Sequence, residues 1–336
     1  IRIDGLWTID ATGDITITET LEGSGSITKT GTGLLELASS VSIPGPVLVE
    51  QGGLRLNGTL SNSDIEVDST ATLSGEAVIS QSLDVSGTLS PGNPIGRIDC
   101  GALTLQTGAA IIWQIADWTG TPGTGYDQVA ATSLDLSEAA ALDLKLESQS
   151  LQNFTDTAAS FVLIETSSGI TGFDPETITL DASGLPEATG HWAVRVDGNQ
   201  VLLDYTPLTP FETWQAAEFG PDASNPLIAG ESADPDFDGL TNLLEYGLGT
   251  DPNLPSVTGI TIDFENVEGT DFLRMTVQRN PNATDVVFLV EATADPTVSG
   301  SWSDADTVVE TDTPTLLVVR DTVSGPRRMM RLGVTR

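Results

Sequence analysis

Between Asp234 and Glu245 the chain reads DPDFDGLTNLLE. Carboxylates stand at Asp234, Asp236 and Asp238, Gly239 follows, and Glu245 returns on the next apolar run. The spacing is that of the D-x-D-x-D-G-x5-E calcium-binding loop, with none of its specified residues missing. The chemistry needs this spacing, because a tight loop turns alternate side chains inward and three aspartates then converge on one ion. Gly239 permits the sharp turn, and the main-chain carbonyl of Leu240 supplies a further oxygen. Asn242 is expected to contribute through water, and Glu245 to close the shell as a bidentate ligand from the following helix. An all-oxygen set with a bidentate arm suits Ca2+ better than Mg2+. The competing reading is a plain acidic turn with Asp238 capping the helix. An acidic composition makes neighbouring carboxylates common, but not five specified positions together.

Other reactive residues are scarce. The single cysteine, Cys100, excludes an intrachain disulfide, and its setting RIDCGALTL reads as a strand, so an inert core thiol is expected. His191 is also alone, in GHWAV, and is expected to pack or face solvent. No HExxH, GxSxG or P-loop pattern occurs, and any histidine- or cysteine-based triad would have to be built on one of these two residues. The reading is therefore non-enzymatic. The remaining enzymatic alternative is a β-helical polysaccharide lyase or hydrolase, whose carboxylate pairs the many acidic residues would supply, near Arg55 or Arg97 on a solenoid face. Arg55 is more simply the outward member of Leu54-Arg55-Leu56.

The loop must be held by neighbouring elements, and the rest of the sequence shows which. In 336 residues there are 48 Asp and Glu against 13 Lys and Arg, a formal net charge of −35. Nucleic acid needs a basic patch, so it is excluded as a partner, and an anionic membrane surface is disfavoured too. No apolar run is long enough to insert in a membrane. Residues 1–146 carry apolar-polar-apolar triplets: Leu35-Glu36-Leu37, Leu54-Arg55-Leu56, Ile65-Glu66-Val67, Leu83-Asp84-Val85, Leu103-Thr104-Leu105 and Leu134-Asp135-Leu136. Strands recurring about every twenty residues between Gly, Ser, Thr and Asn turns predict stacked coils of a β-solenoid. Residues 147–205 stay strand-like without that rhythm and are expected to end and cap the solenoid. VDGNQVLL within them predicts a hairpin. TPLTP (206–210) reads as a linker. Residues 206–255 then change to helical spacing, with Phe211, Trp214 and Ala217 on one face and Leu240, Leu243, Leu244 and Leu248 on another. Residues 256–336 read as a small antiparallel β-sandwich-like domain of five strands, GITIDF, FLRMTVQ, VVFLVEA, TLLVVRD and RMMRLGV.

Two of these segments are similar to known families. GSGSITKTGTGLLELASSVSIPGPVLVEQGGLRLNG (23–58) resembles the autotransporter-associated β-strand repeat, with its Lys-Thr-Gly-x-Gly turn, Leu-x-Leu strand and later Gly-Gly-x-Leu strand. SGTLSPGNPIGRIDCGALTLQTGAAIIWQI (86–115) likewise looks like autotransporter passenger sequence. The resemblance covers roughly residues 15–146 and implies a right-handed β-helix. Nothing here resembles the outer-membrane barrel of an autotransporter, so export through a self-encoded barrel is not expected. The loop region is not a full EF-hand, because PDASNPLIAGESA carries two prolines and two glycines where the entering helix would stand. DPDFDGLTNLLEYGLGTDP instead resembles the calcium loops of thrombospondin type 3 repeats and dockerins, which implies that Asp251 can join the site. The run from Trp214 through Pro252, with the ending RRMMRLGVTR, is similar to the C-termini of large secreted proteins from Verrucomicrobia-type bacteria.

Together these readings predict a mainly β, exported bacterial protein with a structural or adhesive role at the cell surface or in a matrix, stabilised by Ca2+. Its opening at Ile1, without Met or a signal peptide, is expected of a processed form or a piece of a longer precursor. Two partners are expected. IRIDGLWTIDATGDITITET alternates like a strand from its first residues, so an uncovered solenoid edge there would support head-to-tail self-association into a filament. A solenoid face of Thr, Ser, Asn and Asp would suit a surface polysaccharide.

Overall fold

The computed structural model describes residues 1–255 and 259–336, so the expected boundary at residue 256 lies outside the described residues. The chain is mainly β and forms two units, Ile1–Pro207 and Leu208–Arg336. No helix among the described residues is long and apolar enough to cross a membrane.

In the first unit short strands stack in parallel, in register, into a solenoid. One ladder runs Ile15, Leu35, Leu54, Leu73, Leu89, Ile111, Leu144, Leu180. A second runs Ile27, Val47, Ile65, Leu83, Leu103, Leu134, Ile170. A third runs Leu21, Val41, Leu60, Ile79, Cys100, Ala131. The aliphatic members between the ends of the ladders lie almost wholly inside, whereas Ile15 at the first coil is exposed and Ile170 and Leu180 at the last are half-buried. Parallel strands place like on like, so each coil buries its apolar residues against the next, and a narrow core needs few aromatics. Cys100 occupies a rung of the third ladder, half-buried against the core, where burial pushes its thiol up to about 12 and so disfavours the thiolate. The twenty-residue rhythm lapses earlier than the sequence suggests. Leu103 pairs with Leu134 because the Trp118–Tyr126 loop is inserted into that coil, and Leu134 pairs with Ile170 because the next coil holds the two longer strands Leu142–Gln152 and Ala159–Thr166.

The turn Lys29-Thr30-Gly31-Thr32-Gly33 explains itself only in three dimensions. Lys29 is fully buried and donates to the carbonyls of Thr30 (3.0 Å), Gly31 (2.7 Å) and Gln51 (2.8 Å), so one ammonium ties adjacent coils. Burial lowers its pKa, and Asp10 partly opposes this. Gly31 takes φ +76°, and a Cβ there would lie 2.5 Å from Asp10 Oδ1 and 2.6 Å from the Ala11 carbonyl, so only glycine lets the coils touch. Lys29→Met keeps the apolar stem but strips three carbonyls of a donor. It is expected to lower the stability of the first unit by about 2–4 kcal/mol in urea unfolding; a change below roughly 1 kcal/mol would show that water takes the ammonium's place.

After these coils the pairing changes hand. Ala159–Thr166 pairs parallel with Gln128–Asp135 but antiparallel with Gln200–Thr206, which pairs antiparallel with His191–Asp197. This hairpin, turning at Gly198 (φ +58°), supplies hydrogen bonds to a strand edge that would otherwise stay open. The aromatics withheld from the coils collect here. Trp113, Trp118, Tyr126, Phe154, Phe161, Trp192 and Tyr205 form one cluster with centroid distances from 4.8 Å (Trp118–Phe154) to 6.3 Å (Trp113–Trp192). The polar tips are satisfied inside it, with Trp113 Nε1 donating to the Asp127 carbonyl at 2.8 Å and the Tyr205 hydroxyl to Asp156 at 2.5 Å.

The second unit starts with helix α1, Pro210–Phe219. Two residues read as linker belong to it: Thr209 is its N-cap, in a reciprocal capping box with Glu212, and Pro210 is its first residue. Phe211 and Phe219 are its buried residues and Trp214 is half-buried, whereas Ala217, expected on the packed face, is exposed. The helix packs through its aromatics, and Ala217 is too short to reach the cluster that they form with Tyr246. Helix α2, Asn242–Leu248, is buried almost all round and ends at Gly249 in the left-handed conformation. The β part is antiparallel. Ile260–Val267, Thr270–Gln278, Leu316–Asp321 and Thr307–Thr313 form one sheet in that order, and Val287–Thr293 with Met329–Thr335 forms another. Thr307–Thr313, with two consecutive valines and then Glu310 and Asp312 between threonines around a bulge, is a strand beyond the five expected. Met275, Val277, Leu317 and Val319 from the larger sheet meet Val290, Ala292 and Met330 from the smaller, with Leu248 of α2 in the same core.

Candidate metal centre

The loop lies between a run of turns and α2, and both are fixed before any ion is considered. The segment ahead of it is not a helix. Its carbonyls are instead collected by Asn242, whose Nδ2 donates to Ile228 (2.8 Å) and Gly230 (3.0 Å) and whose main-chain N–H donates to Ala233 (2.8 Å). Leu243 N–H adds a bond to the Glu231 carbonyl at 3.0 Å, and Gln215 of α1 reaches the Ala229 carbonyl at 2.5 Å. Proline and glycine deny this segment its own ladder, so the orphan N–H groups at the start of α2 hold it in place. The N-cap of α2 is Thr241, not Asp238.

Within the loop the aspartates fold the backbone around themselves. Asp234 accepts from the N–H of Asp238 (3.2 Å) and Gly239 (3.0 Å), Asp236 from Asp238 (3.1 Å), and Asp238 from Leu240 (2.8 Å). Gly239 has φ +92° with open space around it, so it is needed for its conformation rather than its size. Phe237 also has a positive φ, +62°, with its ring 90% exposed, a position that the pattern of ligands gave no reason to single out. The result is that one oxygen from each of Asp234, Asp236 and Asp238 lies within 4.8 Å of the others, a cluster that can hold a metal ion.

Glu245 enters from α2. It is fully buried; Oε1 accepts the Thr250 hydroxyl at 3.2 Å, while Oε2 has no hydrogen-bond partner. Asp236 Oδ2 is likewise buried and unpartnered. Burial, reinforced by the charges of Asp236, Asp238 and Asp234, pushes the Glu245 carboxyl up to about 7. Burial raises Asp236 as well, opposed by the Asp238 N–H and reinforced by the neighbouring carboxylates. Two buried acceptor oxygens with no donor, amid concentrated negative charge, are costly unless a positive charge reaches them. The cluster within 4.8 Å comprises the three aspartates alone, and Glu245 stands outside it. The donor set is entirely oxygen. These residues fit a hard divalent cation.

The remaining expected ligands are placed less simply. Leu240 lies in the loop with its N–H on Asp238. Asn242 spends its amide nitrogen on two carbonyls and leaves Oδ1 buried without a partner, so its evident work is to hold the entering segment. Asp251 follows α2 and accepts from the Asn253 N–H at 2.9 Å. Thr250, which steadies Glu245, was not singled out in the sequence; its place just after the Gly249 cap was the available signal.

Among other chemically capable groups, Asp127 is fully buried, and burial pushes its carboxyl up to about 8 against the N–H groups of Gly96 and Gln114, each 2.9 Å away. It ties three segments of the solenoid. His191 is exposed on the capping hairpin. Compared with known proteins, the chain matches no family profile. Over 79 residues, 23% of this chain, it is 35% identical to an extracellular serine protease of Serratia marcescens, and the match spans 8% of that protein's length.

Proposed function

We propose that the chain is part of an exported bacterial structural or adhesive protein of the cell surface or matrix, and that Ca2+ bound between Asp234 and Glu245 stabilises its second unit. The observation that carries the calcium reading is the fully buried, donorless Oε2 of Glu245, within electrostatic reach of the clustered aspartates. Asp234, Asp236, Asp238 and Glu245 would supply carboxylate oxygens, and Leu240 its carbonyl. The ion supplies positive charge where the fold has left none, and its role is architectural. α2 carries Glu245 on one side and core residues on the others: Leu243 and Tyr246 pack with Phe211, and Leu248 lies among Met275, Val277 and Val290. Anything that fixes Glu245 therefore fixes the helix on which two apolar clusters depend.

Support for export comes from the extracellular relative and from the strongly acidic composition, which suits divalent cations outside the cell. The in-register solenoid supports the likeness to autotransporter passenger repeats, and the loop the likeness to thrombospondin type 3 and dockerin sites. The non-enzymatic reading rests on the same sparse chemistry as before: a Ser-His pair would have to be built on the exposed His191. Isothermal titration of the full chain with CaCl2 tests the assignment. One site is expected, with Glu245→Gln and Asp236→Asn each weakening it by roughly tenfold or more, since each removes a ligand charge. An absence of calcium heat in the native chain refutes it.

A further inference from the structure

A cleft of about 340 Å3 opens in the second unit between α1, α2 and the turn at 280–284, lined by Pro210, Thr213, Trp214, Tyr246, Asn280 and Asn282. The calcium ligands are not among these residues. One wall is the Trp214 indole, whose position is over-determined. It stacks nearly parallel on Phe211 (5.4 Å, 26°), meets Phe219 edge-on (5.7 Å, 86°) and leans on Tyr246 (5.4 Å, 50°). A platform already held in place loses little side-chain entropy when a ligand lands on it.

The polar groups around this wall divide into spent and available. Asn280 is spent, donating to the Tyr246 carbonyl at 3.0 Å and accepting from the Asn282 N–H at 3.0 Å. Tyr246 is spent on Asp285 and the Asn282 carbonyl. Thr213 donates its hydroxyl proton to the Thr209 carbonyl at 3.0 Å, which leaves its oxygen free to accept. The side-chain amide of Asn282 and the indole N–H of Trp214 make no hydrogen bond to any described residue. The residues lining the cleft thus carry an aromatic ring, an N–H donor, an amide that both donates and accepts, and a hydroxyl acceptor.

We infer that this cleft binds a pyranose unit of a neutral polysaccharide. A pyranose presents C–H groups on its faces and hydroxyls around its rim, which is the arrangement that an indole wall with an uncommitted amide and hydroxyl can match. The volume is of the order that one or two sugar rings need. The ligand is neutral because the cations nearest the cleft are already engaged: Arg279 pairs with Asp312 at 2.6 Å, and Arg336 with Glu231 at 3.2 Å and Asp285 at 3.6 Å. A net charge of −35 also repels acidic sugars. The inference does not rest on the calcium reading, since none of the contacts above involves the loop carboxylates.

The test is calorimetric titration of the full chain, in calcium, with soluble hexaoses of β-1,4-glucose, β-1,3-glucose, β-1,4-xylose and β-1,4-mannose, and with an oligogalacturonate. At least one neutral hexaose is expected to bind, and the oligogalacturonate more weakly. Asn282→Ala, at an exposed side chain, and Trp214→Phe, which keeps the aromatic packing but removes the indole N–H, should each weaken binding by roughly tenfold. The unfolding midpoint of Asn282→Ala should match that of the native chain, so its loss of affinity is not loss of fold. The inference is overturned if no neutral hexaose binds at millimolar concentration, if binding ignores both substitutions, or if the oligogalacturonate binds equally well.

Discussion

Chelating calcium with EDTA is expected to lower the unfolding midpoint of Leu208–Arg336 while leaving that of Ile1–Pro207 nearly unchanged. At a calcium concentration one hundred times the dissociation constant, the bound ion contributes about 2.7 kcal/mol, which for a unit of this size corresponds to a shift on the order of 10 °C. The whole second unit should respond, not only the loop, because α2 carries Glu245 on one face and Leu243, Tyr246 and Leu248 into two apolar clusters on the others. The ion-free protein should also show a characteristic pH trend. Glu245 is raised to about 7 by burial, and the unfolded chain titrates nearer the ordinary 4.5. A group raised on folding stabilises the native state below its unfolded pKa, and that contribution is lost as pH rises through the folded one. Without calcium, stability should therefore fall from about pH 4.5 to 7. With calcium present, the ion favours the ionised carboxylate and the fall should vanish or reverse. Differential scanning calorimetry across this range, with and without EDTA, checks both statements. A second-unit transition indifferent to EDTA at pH 7 would rule out the architectural role.

The other large effect is expected in the aromatic cluster at the C-terminal end of the solenoid. Trp113 is fully buried, lies against Tyr126, Phe161 and Trp192, and donates its N–H to the Asp127 carbonyl. Trp113→Ala should cost about 3–5 kcal/mol through lost burial and a cavity that an aromatic cluster cannot easily close. Trp113→Phe keeps most of the volume but orphans the carbonyl, and should cost roughly 1–3 kcal/mol. The ordering is the informative part, because it separates packing from the hydrogen bond. Urea unfolding of the full chain, followed by the first-unit transition, reads both. If Ala and Phe cost the same, packing is not what makes this cluster the cap. If neither costs more than about 1 kcal/mol, the cluster is not holding the hairpin.

The solenoid and the loop were legible for the same reason: both are written locally. A strand triplet such as Leu54-Arg55-Leu56 shows which residues face inward, and coil length appears directly as the spacing between triplets. In-register parallel stacking then converts that spacing into the ladder Leu35, Leu54, Leu73. Likewise, convergence of Asp234, Asp236 and Asp238 follows from alternate positions in one tight turn, so twelve consecutive residues specify it. What sequence could not assign was the face to which each triplet belongs. Leu54 and Ile65 look alike as text, yet they enter different ladders, because the turn between them decides which side of the coil comes next.

Everything that depends on residues far apart was decided by the tertiary structure. Lys29 stands in the turn motif, and nothing local announces that Gln51, one coil later, supplies a carbonyl to it. Asn242 reads as a water-mediated ligand, and nothing in its surroundings by sequence announces that its amide nitrogen also holds the carbonyls of Ile228 and Gly230. Thr209 and Pro210 read as linker, although a cap and a first-turn proline have the same composition as a break; only the Glu212 carboxylate returning to Thr209 distinguishes them. The aromatic cap draws on residues from Trp113 to Tyr205, and no period connects them. Local spacing fixes what a segment can present, whereas burial and hydrogen-bond satisfaction depend on which distant groups arrive, and only the folded chain brings those together.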